Sequence, residues 1–222
     1  MNIKKKDLTI KLPPNGFFII EETIFRCTLP LTRENLIFLK QFQIKIFLNL
    51  TNHTFSDDFL SVLNNNSVLL VELNQFDINL HHIFSNHLSC TKSIKSILEF
   101  IFGLSSSSVL ILGDLEYFLD SLVVSCLRRI QNWALSSIIA EFRFISGRKN
   151  FDLEQLIESF PTNIFFFPSS IPKYIYQYLT EENSSIENAY LDSISSIDHN
   201  SLISSNVQYD PNLRYFFLKL NY

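Results

Sequence analysis

The stretch VLILGDLEYFLDSLVVSCLRRIQNW, residues 109–133, constrains the fold more than any other part of the chain. Val109 to Leu112 have the length and apolar content of a buried strand. Gly113 opens a turn. From 117 to 132 the apolar residues Leu122, Val123, Cys126, Leu127 and Ile130 fall on one helical face, and Trp133 follows. A strand that turns through glycine into a helix places the helix N-terminus where backbone N–H groups bind anions. Yet this turn carries Asp114, Glu116 and Asp120, and no Lys, Arg, His or Cys. Its layout suits a phosphate, and its side chains repel one.

Apolar segments alternate with helical patterns along the rest of the chain. Residues 17–20 and 23–29 read as two short strands around the acidic turn Glu21-Glu22, and Pro30 ends the second. Thr32 is placed to cap a helix with Leu36, Leu39 and Phe42 at helical spacing. Residues 45–50 and 67–73 read as buried strands. Between them lies a helix capped by Ser56, with Asp57 and Asp58 in the first turn, where the helix dipole favours acids. Residues 74–88 read as a loop. Ser89 to Phe102 reads as a helix with Ile94, Ile97, Leu98 and Ile101 on one face and Gly103 as its stop. A shorter helix over 136–144 is expected to be capped by Ser136 or Ser137. Asp152 and Gln155 resemble a capping box for the next, and residues 173–179 pattern as a last helix.

This alternation predicts an α/β fold: a central sheet of four or five strands, mostly parallel, covered by helices on both faces. The expected organisation is a basic lead over 1–11, one domain over 12–180, and a tail over 181–222. Within the tail, 181–208 is rich in Ser, Asn, Glu and Asp and reads as a linker. Residues 211–222 are apolar again and are the expected partner contact, with docking on the chain's own domain as the alternative.

Several function classes are excluded early. The formal net charge of −4 argues against broad nucleic-acid binding, which needs a basic face. No apolar run approaches the roughly 20 residues that cross a bilayer, so no membrane partner is expected. Cys27, Cys90 and Cys126 are scattered and form no CxxC pair, so neither a zinc site nor a disulfide framework is expected. A reducing, cytoplasmic setting follows from that reading. His81, His82 and His87 lack the i,i+4 spacing of helical metal ligands. No metal or cofactor is expected.

The order of short motifs adds a resemblance. Pro13-Pro14-Asn15 with Phe17, then Ile24-Phe25-Arg26, Pro30, Asn35, Phe38-Leu39 and Ile44-Lys45 follow the N-terminal half of a known family. Arg128-Arg129-Ile130-Gln131-Asn132-Trp133, then 138–143 as IIAEFR, Ile145-Ser146-Gly147 and Asp152-Leu153 through Ile157-Glu158 follow its second half. Over residues 12 to about 180 the chain resembles the fungal and plant atypical dual-specificity phosphatases, the group that includes proteins of oxidant-induced cell-cycle arrest and an inositol pyrophosphate phosphatase. That family carries His-Cys-x5-Arg between strand and helix. Counting back from Trp133 puts Leu112 at the His, Gly113 at the Cys, Leu119 at the Arg, Asp120 at the following Ser/Thr and Ser121 at the next Gly.

The chemistry of that family needs a thiolate nucleophile and a forked arginine on the phosphoryl oxygens. Gly113 and Leu119 supply neither. One unit charge facing another at about 4 Å is worth on the order of 4 kcal/mol at an effective dielectric of 20, and the loop offers three acids to a phosphate. The acids are expected to occupy the dipole site that substrate fills in active relatives. The resemblance therefore implies a pseudophosphatase that acts as scaffold or regulatory subunit for paralogous phosphatase-like proteins in inositol pyrophosphate or phosphotyrosine signalling. An active phosphatase is the alternative and would need a thiol at 113 and an arginine at 119. A non-catalytic inositol phosphate sensor is the other, and would need basic groups to converge on the loop. Arg128, Arg129, Arg143, Arg148 and Lys149 are the rim residues placed to do so, against a surface or salt-bridge role such as Arg128 with Glu141. Asp77, in the 74–87 loop, is the position of a vestigial general acid, against an ordinary surface acid. Cys90 near His87 is the remaining thiol–histidine pair.

Overall fold

The computed structural model describes residues 11–76, 78, 87–104, 107–162 and 175, all within the compact unit Met1–Leu179. Strands β1 (Phe18–Glu21) and β2 (Ile24–Thr28) form a hairpin. Helix α1 (Arg33–Leu39) continues through a 3-10 turn over Lys40–Phe42 into β3 (Ile46–Asn49). Then come α2 (Asp57–Asn65), β4 (Leu69–Glu72), a 3-10 turn over Leu73–Phe76, α3 (His87–Gly103) and β5 (Val109–Gly113). Helices α4 (Leu119–Ile130), α5 (Leu135–Ser146) and α6 (Phe151–Ser159) complete the described domain.

The sheet has five strands in the order β1-β2-β5-β3-β4. β2, β5, β3 and β4 are parallel, and only β1 runs antiparallel at its edge. That meets the expected α/β architecture. All residues of β2, β3 and β5 are buried, as parallel strands covered on both faces require. Phe25, Cys27, Phe47, Leu110 and Leu112 cluster with Leu39 of α1 and Leu63 of α2, backed by Leu36, Phe38, Phe42 and Phe59. Alternation along the strands turns Ile24, Arg26, Val109, Ile111 and Gly113 to the opposite face, where α4 packs on β5 and is flanked by α3, α5 and α6. In register, Thr28 stands beside Gly113 and Asn49 beside Leu112, so the C-terminal strand ends gather next to the loop before α4. In open parallel sheets that end is where ligands bind.

Side-chain caps account for three of the six described α-helix starts. Thr32 and Asn35 form a reciprocal capping box on α1, with Thr32 N donating to Asn35 Oδ1 at 2.8 Å. Ser56 caps α2. Two expected caps are corrected. α5 begins after Ala134 with no side-chain cap, because Leu135 already starts the helix ahead of Ser136 and Ser137. α6 is capped by Asn150, whose Oδ1 accepts from Leu153 N at 3.3 Å, which puts Asp152 inside the first turn. Of the residues 173–179 only Ile175 is described, as buried helix. The tail over 181–222 and most of the basic lead lie outside the described residues. Among the described residues no helix is long and apolar enough to cross a membrane.

Candidate functional site

The loop from Gly113 to Leu119 is held by one of its own acids. Asp114 Oδ1 accepts from Glu116 N at 2.9 Å and Tyr117 N at 2.8 Å. Two loop amides, the groups that would face an anion, are thus engaged by a carboxylate of the chain itself. Phe118 closes the loop in the left-handed region (φ 54°, ψ 21°) and makes no side-chain cap. Leu119, at the position where the resemblance places an arginine, starts α4 with its side chain 1% exposed. It points into the core.

Asp120 is the second residue of α4 and is completely buried. Its Oδ2 accepts from Arg26 Nε at 2.5 Å, and Arg26 is itself 1% exposed. The Arg26 Nη1 donates to Gly16 O at 3.1 Å, and the guanidinium lies 5.8 Å from the Phe18 ring centre. A Cβ at Gly16 would press on Arg26 Nη1 and Thr28 Oγ1, and Gly16 has φ +55°, so glycine is required there. The carboxyl of Asp120 stands over Gly113. A Cβ built on Gly113 would fall inside that carboxyl group, among Cγ, Oδ1 and Oδ2. Position 113 therefore has no side chain and no room for one. Burial pushes the Asp120 carboxyl above the usual carboxylate range, against the pull of the Arg26 charge and hydrogen bond and of the Ser121 N–H. Its Oδ1 has no hydrogen-bond partner.

The five basic residues expected at the rim do not assemble there. Arg128 is 5% exposed, and its Nη1 donates to Glu21 Oε1 at 2.5 Å and to Gln131 Oε1 at 2.8 Å. Its Nε reaches Glu141 Oε2 at 3.2 Å, its Nη2 reaches Ile20 O at 3.1 Å, and its guanidinium stacks 4.1 Å from the Trp133 ring centre. It ties β1, α4 and α5 together. Arg129 donates to Glu158 O at 3.3 Å, and Arg143 grips Glu154 with two bonds of 2.6 and 2.8 Å. Lys149 lies over the Phe151 ring. Arg148 alone of the five lines the cleft beside the loop, and it stacks 4.1 Å from the Phe118 ring centre.

That cleft has a volume of about 260 Å³. Glu116, Tyr117, Asp152, His87 and Cys90 are among the residues that line it. Its charge is mixed, unlike the convergent basic lining a polyphosphate requires. Burial pushes the Cys90 thiol up to about 12, so it does not supply a thiolate near neutral pH. Cys27 is raised to about 12 and Cys126 well above its ordinary value by the same cause. No group of three or more His, Cys, Asp or Glu residues that could hold a metal occurs among the described residues. Asp77, His81 and His82 lie outside them.

Arg26 is the site residue that the reading of the sequence left without a role. Its signal was present: an arginine between Phe25 and Cys27 in a strand otherwise apolar enough to be buried. A buried arginine needs a carboxylate partner, and Asp120 was the loop acid able to turn inward.

A model of the tyrosine phosphatase family matches residues 11–180. The chain belongs to that family. It is similar to the putative tyrosine-protein phosphatase OCA1 of Scheffersomyces stipitis, 27% identical over 74% of this chain and 83% of that one. The inositol diphosphatase DSP5 of Arabidopsis thaliana is 26% identical, over 78% of this chain and 81% of its own length. Among solved structures, the core catalytic domain of the PP-IP phosphatase SIW14 from S. cerevisiae superposes with a TM-score of 0.54 at 22% identity, covering 69% of this chain and 90% of that one. A second structure of the Siw14 catalytic core gives 0.56 at 20% identity, over 78% and 95%. These likenesses establish the fold.

Proposed function

We propose that the chain is a catalytically inactive phosphatase-like protein, a pseudophosphatase, which serves as scaffold or regulatory subunit for active relatives. The observation that carries this reading is position 113. A nucleophile belongs at the end of β5, and the Asp120 carboxyl fills the volume its side chain would need. Leu119, turned into the core, offers no guanidinium to phosphoryl oxygens. Without a nucleophile and a donor fork, neither bond formation to phosphorus nor stabilisation of the transition state is provided for. The likeness to an inositol diphosphatase and a PP-IP phosphatase supports inositol pyrophosphate signalling as the setting, with phosphotyrosine as the alternative substrate class. The partners are taken to be paralogous phosphatase-like chains in the cytoplasm.

Two measurements on the full chain test this. Purified protein incubated with inositol pyrophosphate and with phosphotyrosine peptide is expected to release no phosphate above buffer. Tagged protein recovered from its native extract is expected to bring down related phosphatases, with activity that disappears when they are stripped away. Turnover by the purified chain alone would sink the reading, and absence of any phosphatase in the recovered material would sink its scaffold part.

A further inference from the structure

We propose that the Asp120 carboxylate is the built-in counter-anion of the buried Arg26, sterically coupled to Gly113, and that a free small monocarboxylate takes its place once the side chain is removed. The inference rests on the pseudophosphatase reading. Its test reads stability and small-anion binding, with no turnover or partner capture, so the two fail separately.

The steric half of the argument is that Gly113 and Asp120 exclude each other's alternatives. With Asp at 120, any Cβ at 113 collides with the carboxyl group itself, which is fully buried and held by Arg26. The glycine and the acid are one unit.

The electrostatic half comes from Arg26. Its guanidinium is buried on the α4 face of the sheet, with Nε directed at Asp120 Oδ2 and Nη1 at a backbone carbonyl. A buried guanidinium without a countercharge is strongly unfavourable. The position therefore demands an anion whether or not residue 120 supplies it. Deleting the Asp120 side chain beyond Cβ empties a space of carboxylate size, bounded by Arg26 and by the bare backbone of Gly113. Formate has the size of the deleted group and presents the same two oxygens, so it is the probe for that space. Arg26 Nε at 2.5 Å and Ser121 Oγ at 3.5 Å both meet Oδ2, while Oδ1 has no hydrogen-bond partner, so the occupant is specified mainly by the one cation. For the intact protein this means that the anion place beside Gly113 is taken covalently and is closed to free oxyanions.

The experiment compares thermal unfolding of the full-length wild type, D120A and R26M/D120A in sodium formate and in sodium chloride at matched ionic strength. D120A is expected to melt roughly 10 °C below wild type, as loss of a buried ion-pair partner implies. Formate is expected to raise its midpoint by several degrees in a saturable way and to leave wild type and R26M/D120A unchanged. A second arm keeps the inference testable if D120A does not fold. G113A is expected to lower the wild-type midpoint by roughly 10 °C and to cost little when introduced into R26M/D120A. A formate response that D120A lacks, or that wild type shares, overturns the proposal. So does an equal cost of G113A in the two backgrounds.

Discussion

Glycine at 113 is both a chemical loss and a steric necessity, and the two have separate consequences. A cysteine introduced there meets the Asp120 carboxyl before it meets any substrate. G113C alone is therefore expected to destabilise the fold, by about 1–3 kcal/mol as overpacking typically costs, and to release no phosphate; urea unfolding and a phosphate-release assay check the two halves. The native thiols give a second prediction at this scale. Cys27 and Cys90 are buried, with their ionisation pushed up to about 12, and Cys126 lies fully buried in α4. At pH 8 all three stay protonated and covered. A thiol reagent is expected to label none of them rapidly in the native protein and all three in denaturant. Fast native labelling of Cys90 would reopen the question of a nucleophile in the cleft. That positions 113 and 119 hold neither a thiol nor a guanidinium was legible residue by residue, because glycine and leucine lack those groups in any fold. The pairing of Asp120 with Arg26 was not, since it joins residues 94 positions apart.

At the scale of elements, α4 departs most from its sequence pattern. One apolar face reads from Leu122 to Ile130, yet Leu119 through Arg128 and Ile130 are all buried. β5, α3, α5 and α6 surround the helix, so Ser121 and Ser125 are enclosed too, and Ser125 Oγ returns a hydrogen bond to Ser121 O at 2.9 Å. An arginine at 119 would enter this packing as an unpaired charge. G113C/L119R, which puts a thiol and a guanidinium at the two positions, is expected to be destabilised by more than about 3 kcal/mol and to release no phosphate. Arg128 is a second buried charge, tied to Glu21, Glu141 and Trp133. R128A is expected to cost about 3–5 kcal/mol, with a change in the native fluorescence of Trp133 as its stacking partner leaves. Between α5 and α6, the hydrogen bonds from Arg143 hold the Glu154 carboxyl below the usual carboxylate range. A depressed folded value means the stabilisation is present above the unfolded value of about 4.3 and is lost as pH falls through the lower folded value. E154Q is expected to lack that acid-side loss, which urea unfolding between pH 6 and pH 3 reads directly. Because Arg143 is 42% exposed, the effect is small.

Across the described domain, strand order brings the 113–119 loop to the C-terminal edge of the sheet, the end at which open parallel sheets bind ligands. Alternating apolar strands and helical segments made that architecture readable. Hydrophobic period and short-range capping are local properties, and the Thr32–Asn35 box and the Ser56 cap show it. That Gly113 carries no side chain and Leu119 no guanidinium is local as well, and is read from the sequence without help from the fold. The charges are a different matter. Arg128, Arg129 and Arg143 looked available for a phosphate, but each is engaged by groups brought to it from other elements. Whether an arginine meets a ligand, a carboxylate or a carbonyl depends on which surfaces the packing brings together, and long side chains reach partners far away in sequence. Only the tertiary structure decided that Asp120 turns inward to meet Arg26 from β2, while Asp114 holds the loop amides. The physical reason is burial: a charge removed from water must find its partner inside the protein.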